Sequence, residues 1–200
     1  MQGQGGAPLS GADAPAEPVP PVLGAPARRS RRPVITLALT AVLVLALDVI
    51  TKVVVVDRLA HRDPITLIPS VLDLELTRNG GAAFSVGTKA TVLFTGVATV
   101  VAIVIARTAP RLVSAGWAAV LGLLLGGAVG NLIDRFARAP GPGRGEVVDW
   151  IHLHHWPVFN VADSAIVVGA VIAVLLSLRG IPATRPPETT APAPPNGPQG

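Results

Sequence analysis

Two hundred residues suit a single domain, and half of them are apolar while only 14% carry charge, a balance that belongs to a chain in a lipid bilayer. The net charge of +4 raises nucleic acid as a partner, but the arginines stand beside apolar runs with no aromatic residues interleaved, so they read as topology signals and nucleic acid is set aside. Cysteine is absent, which excludes a disulfide framework, thiolate metal ligands, a cysteine nucleophile and lipid attachment to this chain itself.

Residues 1–27 are rich in Pro, Ala and Gly with too few large apolar side chains to pack, and are expected to be a disordered cytoplasmic tail. A membrane domain is expected over 28–180. Its first apolar run, 34–56, is near the ~20 residues that cross a bilayer as helix. Arg28, Arg29, Arg31 and Arg32 precede it and assign that side to the cytoplasm. The run is too long for a cleaved signal peptide and no small-x-small site follows, so it reads as a signal anchor. In the loop 57–89, Leu72, Leu74 and Leu76 alternate with Asp73, Glu75 and Thr77. That period of two predicts a strand with one greasy and one wet face, in a small sheet lying on the membrane.

A second run covers 90–106 and a third 112–133, where Gly122, Gly126 and Gly130 recur every fourth residue and clear one face for a neighbouring helix. The loop 134–160 leads to a fourth run, 161–178, and residues 181–200 read as a second disordered tail. Four spans place both termini on one side, and Arg107, Arg111 and Arg179 mark that side again as cytoplasmic. The two longer loops then face outward, although they too carry arginines: Arg58, Arg62, Arg78, Arg135, Arg138 and Arg144.

Ionisable groups within a bilayer cost about 2.5–3.5 kcal/mol each on insertion scales, so those that persist need a reason. Here they converge on the outer face: Asp48 and Lys52 on the first helix, Asn131, Asp134 and Arg135 on the third, Asn160 and Asp163 at the start of the fourth, and Asp149 in the loop between them. Each has a plainer explanation. Asp48 and Lys52, four apart, are as readily a local ion pair; Asn160 and Asp163 have the spacing of an N-cap and a first-turn acid; Asn131, Asp134 and Arg135 suit a wet helix end; Asp149 alone is a loop carboxylate.

Taken in order, these segments resemble the lipoprotein signal peptidases, or signal peptidase II, from about Asp48 to Gly169. Four blocks carry the resemblance: Asp48 with Thr51 and Lys52; Asn79, Gly81, Ala82, Ala83 and Phe84; Gly126, Gly127, Ala128, Gly130, Asn131, Asp134 and Arg135; and Val148 and Asp149 with Phe159, Asn160, Ala162, Asp163, Ile166 and Gly169. The resemblance implies an all-α membrane bundle of four transmembrane helices with a small extracytoplasmic β-cradle. It also implies an aspartyl endopeptidase of the bacterial cell membrane that cuts diacylglyceryl-modified prolipoproteins before the lipidated cysteine. Prolipoprotein and membrane lipid would be its partners, and no metal or other cofactor is called for. It places the catalytic pair on Asp149 and Asp163, and site-shaping or substrate-binding roles on Asp48, Lys52, Asn79, Gly81, Asn131, Asp134, Arg135 and Asn160. The chain departs from the family pattern in the long connection through Ala139, Pro140, Gly141, Pro142, Gly143 and Arg144, in Trp150, and in the turn His152, Leu153, His154, His155.

Two carboxylates suit peptide hydrolysis because neighbouring acids split their titrations, leaving one to activate water and one to polarise the carbonyl. Asp163, near the positive end of a helix dipole, is expected to be the ionised member and Asp149 the protonated one. Small residues at Gly80, Gly81, Ala82 and Ala83 allow close approach of a substrate backbone, or simply make a tight turn. Three rivals remain. A metal hydrolase draws on His152, His154 and His155 near Glu146 and Asp149; a serine–lysine dyad draws on Ser85 and Lys89; a small transporter draws on Asp48 and Lys52.

Overall fold

The computed structural model describes residues 30–81 and 88–185. Ala82, Ala83, Phe84 and Ser85 lie outside the described residues, as do both tails apart from residues 181–185; of Lys89 only the backbone is described.

Four helices among the described residues are long and apolar enough to cross a membrane: α1 (Arg32–Leu59), α2 (Thr88–Thr108), α3 (Ala115–Ala137) and α4 (Val161–Leu178). Each follows from its apolar run, with start signals at the ends. Pro33 opens the first turn of α1, Ser114 Oγ accepts Trp117 N–H at the head of α3, and Asn160 caps α4. The outer faces are clad in apolar side chains such as Leu39, Leu43, Val100 and Val174, all exposed.

The third helix departs from its expected limits. Residues 112–114 are extended, with Leu112 bridged to Thr184 and Val113 N–H donating to Ala183 O at 3.0 Å. Helix begins only after the Ser114 cap and runs on to Ala137, so Asp134 and Arg135 belong to its last turn. The same contacts involve the first residues of the stretch expected as a C-terminal tail. Thr184 and Ala183 meet Leu112 and Val113 just ahead of α3, and Trp117 Nε1 donates to Ile181 O at 2.7 Å.

The centre of the bundle is α3, which packs on α1, α4 and α2. Its small-residue stripe explains the closest of these crossings. A Cβ on Gly122 would stand 2.7 Å from Leu37 O, one on Gly126 2.7 Å from Ala41 O, and one on Gly130 2.5 Å from Asp48 Oδ2, so α1 lies directly along the stripe. Gly127 faces Ala162 and Ile166 of α4 in the same manner.

Three strands form one antiparallel sheet in the order β1 (Ile65–Ile68), β2 (Leu72–Asn79), β3 (Val147–Leu153). The alternation in β2 is realised: Leu74 and Leu76 pack with Trp150 over Val55, Leu59 and Val148, while Asp73 and Glu75 meet His154 and His152. The sheet thus sits on the C-terminal end of α1, and β3 runs straight into the polar end of the bundle.

Candidate active site

Burial decides how Asp149 is to be read. On β3, Val148 is fully buried and Asp149 is 2% exposed, so it is not the solvated loop carboxylate its local sequence allows. Pairing with β2 sets Asp149 opposite Thr77 and brings Asn79 beside it. Asn79 Nδ2 donates to Asp149 Oδ2 at 3.0 Å, and Asn160 Nδ2 donates to Asp149 Oδ1 at 2.6 Å. Desolvation pushes the Asp149 carboxyl up to about 6, and the charge of Asp163 adds to the rise; the donors Asn79 and Asn160 and the charge of Lys52 oppose it.

Asp163 stands in the first turn of α4, in a reciprocal capping box. Asn160 Oδ1 accepts Asp163 N–H at 3.0 Å and Asp163 Oδ2 accepts Asn160 N–H at 3.2 Å. The other oxygen, Oδ1, accepts from Asn131 Nδ2 at 2.8 Å. Asn160 is therefore both the cap that its spacing suggests and the link between the two acids, since its amide reaches Asn131 Oδ1 at 3.1 Å as well as Asp149.

Behind the pair lies a buried ionic layer. Lys52 Nζ contacts Asp48 Oδ2 at 2.7 Å, Asp134 Oδ2 at 2.9 Å and Asn131 Oδ1 at 3.0 Å. Asp134 Oδ1 pairs with Arg138 Nε. Arg135 Nη1 donates to Asn79 O at 2.9 Å and Gly145 O at 2.8 Å, tying the strand end to the loop after α3. Gly81 closes the turn after Asn79. Its φ of 85° favours glycine, and a Cβ there would stand 2.6 Å from Thr91 Oγ1.

All ten residues singled out in the sequence thus gather at one end of the bundle. Asn79, Gly81, Asn131, Arg135, Asp149 and Asp163 line a cleft of about 270 Å³ together with Phe94, Thr95 and Ala98 of α2. Thr91 and Thr95 are the residues that reasoning from sequence passed over. Both are buried; the Thr91 hydroxyl donates to Gly80 O, and Thr95 Oγ1 lies 3.0 Å from Gly143 O, so α2 holds the two loops flanking the cleft. A Thr91, Thr95, Thr99 repeat on one helix face was the available signal.

The rival chemistries fare differently. His154 Nε2 lies 2.7 Å from Asp73 Oδ2, His152 Nδ1 lies 3.5 Å from Glu75 Oε1, and the two imidazoles stack at 5.3 Å. No three His, Asp or Glu among the described residues converge in a metal-binding arrangement. The buried charges Asp48, Lys52, Asp134, Arg135 and Asp149 all lie at the cleft end, which is not the distribution of a path through the membrane. Ser85 is outside the described residues.

The family model for signal peptidase (SPase) II matches residues 40–179, a stretch that includes every cleft residue named above. The chain belongs to the signal peptidase II family. Lipoprotein signal peptidase of Mycobacterium bovis (strain BCG / Pasteur 1173P2) is 48% identical over 170 residues, covering 85% of this chain and 79% of that protein. Its counterpart in Mycolicibacterium smegmatis is 51% identical over 169 residues, 83% of this chain and 72% of the other. That of Streptomyces coelicolor is 49% identical over 153 residues, 76% and 75% respectively. Among solved structures, a bacterial membrane enzyme determined by the in meso method at 1.9 Å resolution superposes with a TM-score of 0.63 at 28% identity, covering 72% of this chain and 93% of that one. This signal peptidase II homologue is accordingly a multi-pass bacterial membrane protease, with four spanning helices and a small three-stranded sheet.

Proposed function

We propose that this peptidase removes signal peptides from diacylglyceryl-modified prolipoproteins by aspartyl chemistry at Asp149 and Asp163, cutting immediately before the lipidated cysteine. The observation that carries the reading is the pairing itself. Two carboxylates from separate elements, β3 and α4, are joined through Asn160, whose side-chain amide donates to Asp149 and whose backbone N–H donates to Asp163, and both face one cleft.

In this reading Asp149 is the acid, because its burial keeps a proton on it to about pH 6. Asp163 is the base. It takes a proton from water as the water oxygen attacks the scissile carbonyl, while Asp149 donates its proton to the carbonyl oxygen. Collapse of the tetrahedral species breaks the C–N bond; the proton on Asp163 passes to the leaving nitrogen and the hydroxyl returns a proton to Asp149, so both acids end as they began. Asn79 and Asn160 hold Asp149, and Asn131 holds Asp163.

A diacylglyceryl group is too apolar to leave the bilayer, so the cut belongs at the membrane surface. The arginines before α1 and after α4 support a cytoplasmic location for the opposite end and both termini, and an extracytoplasmic one for the cleft. Exposed Phe94 beside the cleft, and α2 packing chiefly on α3, suit entry of lipid chains from the side.

Mass spectrometry of the products tests the specificity. Incubated with matched prolipoproteins bearing or lacking the diacylglyceryl group, the purified protein is expected to cut only the modified one and to leave the lipidated cysteine as the new N-terminus. Equal cleavage of both, or a cut elsewhere, would contradict the reading.

A further inference from the structure

The Lys52 ammonium is surrounded by three oxygens: it donates to Asn131 Oδ1 at 3.0 Å and is ion-paired with Asp48 Oδ2 at 2.7 Å and Asp134 Oδ2 at 2.9 Å. Each of these three side chains makes a second contact that leads to one of the paired aspartates. Asp48 Oδ1 accepts the N–H of Ala162 at 3.0 Å, the residue immediately before Asp163. Asp134 Oδ2 accepts the N–H of Val148 at 3.2 Å, the residue immediately before Asp149. Asn131 Nδ2 donates to Asp163 Oδ1 at 2.8 Å. Two consecutive elements, β3 and α4, are therefore referred to one nitrogen on α1, a helix distant from both in sequence.

A local ion pair that eases insertion of α1 needs only Asp48 and Lys52. It does not need a second carboxylate from α3, nor backbone N–H groups from β3 and α4. Removing ions from water costs several kcal/mol each, and apolar residues of similar volume often serve stability as well or better. Lys52 is 2% exposed, and neither it nor Asp48 nor Asp134 lines the cleft, so none of the three is placed to touch substrate.

We infer that Lys52 is a positioning residue for the peptidase reaction: by bridging Asp48 and Asp134 it fixes the spacing and orientation of Asp149 and Asp163. This rests on the assignment of those two aspartates as the reacting pair. Holding reacting groups to within a fraction of an ångström matters because a misplacement of about 1 Å costs on the order of 100-fold in rate.

Two variants separate positioning from simple support of the fold. Lys52→Arg keeps the charge but presents a planar fork in place of a compact ammonium on which three oxygens converge. The double variant Asp48→Asn, Lys52→Met removes one charge of each sign, keeps an amide oxygen for Ala162 N–H, and leaves Asp134 to Arg138. Both are expected to purify folded in detergent, with KM within about twofold of wild type and kcat reduced about 100-fold. The pH profile adds a readout that loss of stability alone does not move. Asp149 is faced by the charges of Asp163, Lys52 and Arg135 and by the amides of Asn79 and Asn160. In the double variant the alkaline limb of kcat/KM shifts to higher pH, because a positive charge favouring ionised Asp149 is gone; in Lys52→Arg it stays in place.

A kcat within twofold of wild type in either folded variant, a rise in KM alone, or failure of both variants to fold would each overturn the assignment, the last by making Lys52 a support of the fold only. Asp149→Asn and Asp163→Asn run alongside keep the two readings apart. Cleavage by either of these removes the dyad and the Lys52 role together, whereas their inactivity beside fully active Lys52 variants removes the Lys52 role alone.

Discussion

The two ends of the bundle are built from the same four helices on opposite principles. At the end away from the cleft, Leu37, Ile105, Ala109, Leu112 and Ala118 form an apolar core, closed by the backbone bond of Val113 to Ala183 and the Trp117 bond to Ile181. At the cleft end the buried layer is Asp48, Lys52, Asp134, Arg135, Asp149 and Asn160. Apolar burial is non-directional, whereas a buried ionic network needs its partners in place or costs several kcal/mol per unpaired ion. One end thus secures the helices and the other sets atoms.

The comparison predicts that equal insults have unequal consequences at the two ends. Outside the two aspartates and Lys52, the largest effect is expected at Asn160. Asn160→Ala deletes the α4 cap and the donor to Asp149 at once, and is expected to lower kcat/KM about 100-fold while costing about 1–2 kcal/mol of stability, read by initial rates and by unfolding in detergent. A variant with rates near wild type would show that the amide link between the acids is dispensable.

A sharper comparison uses one helix face. Gly122→Ala and Gly130→Ala both force a Cβ into α1, against Leu37 O at 2.7 Å and Asp48 Oδ2 at 2.5 Å. Each should destabilise by about 1–3 kcal/mol. Only Gly130→Ala is expected to slow the folded protein, by about tenfold, because it displaces Asp48 and with it the Ala162 bond ahead of Asp163. Equal rates per folded molecule would erase the distinction between the ends.

Acidity gives a smaller and reversible test. With Asp149 as the acid, kcat/KM falls as pH rises through about 6, where burial places its titration. Asn79→Ala removes a donor that favours ionised Asp149, so the alkaline limb should move to higher pH. A downward move would assign the limb to another group. The smallest effect belongs to the far end. Trp117→Phe loses the bond to Ile181 and about 0.5–1.5 kcal/mol, with no change in rate per folded molecule.

Much of this was legible in the sequence. Hydropathy alone locates four spans, and the period-two leucines locate β2. The start of α3 was not, because Leu112 and Val113 are as apolar as helix residues; their extended backbone depends on bonding to residues 183 and 184, a contact that no local pattern announces. At the site, spacing correctly suggests an i,i+4 pair for Asp48 and Lys52 and a cap for Asn160. It does not reveal that each also reaches across the bundle, to Asp134 and to Asp149, since those partners lie on other elements. Thr91 and Thr95 pass as ordinary residues of an apolar helix until Gly80 and Gly143 are seen beneath their hydroxyls.

The central claim is that Asp149 and Asp163 act together as the hydrolytic pair. Cleavage of a diacylglyceryl-modified prolipoprotein by the purified protein in detergent, wild type beside Asp149→Asn and Asp163→Asn, followed as a gel shift with folding checked in parallel, tests it most directly. The predicted result is active wild type with both variants folded and slower by at least about 1,000-fold; cleavage by either folded variant at a rate near wild type would contradict it.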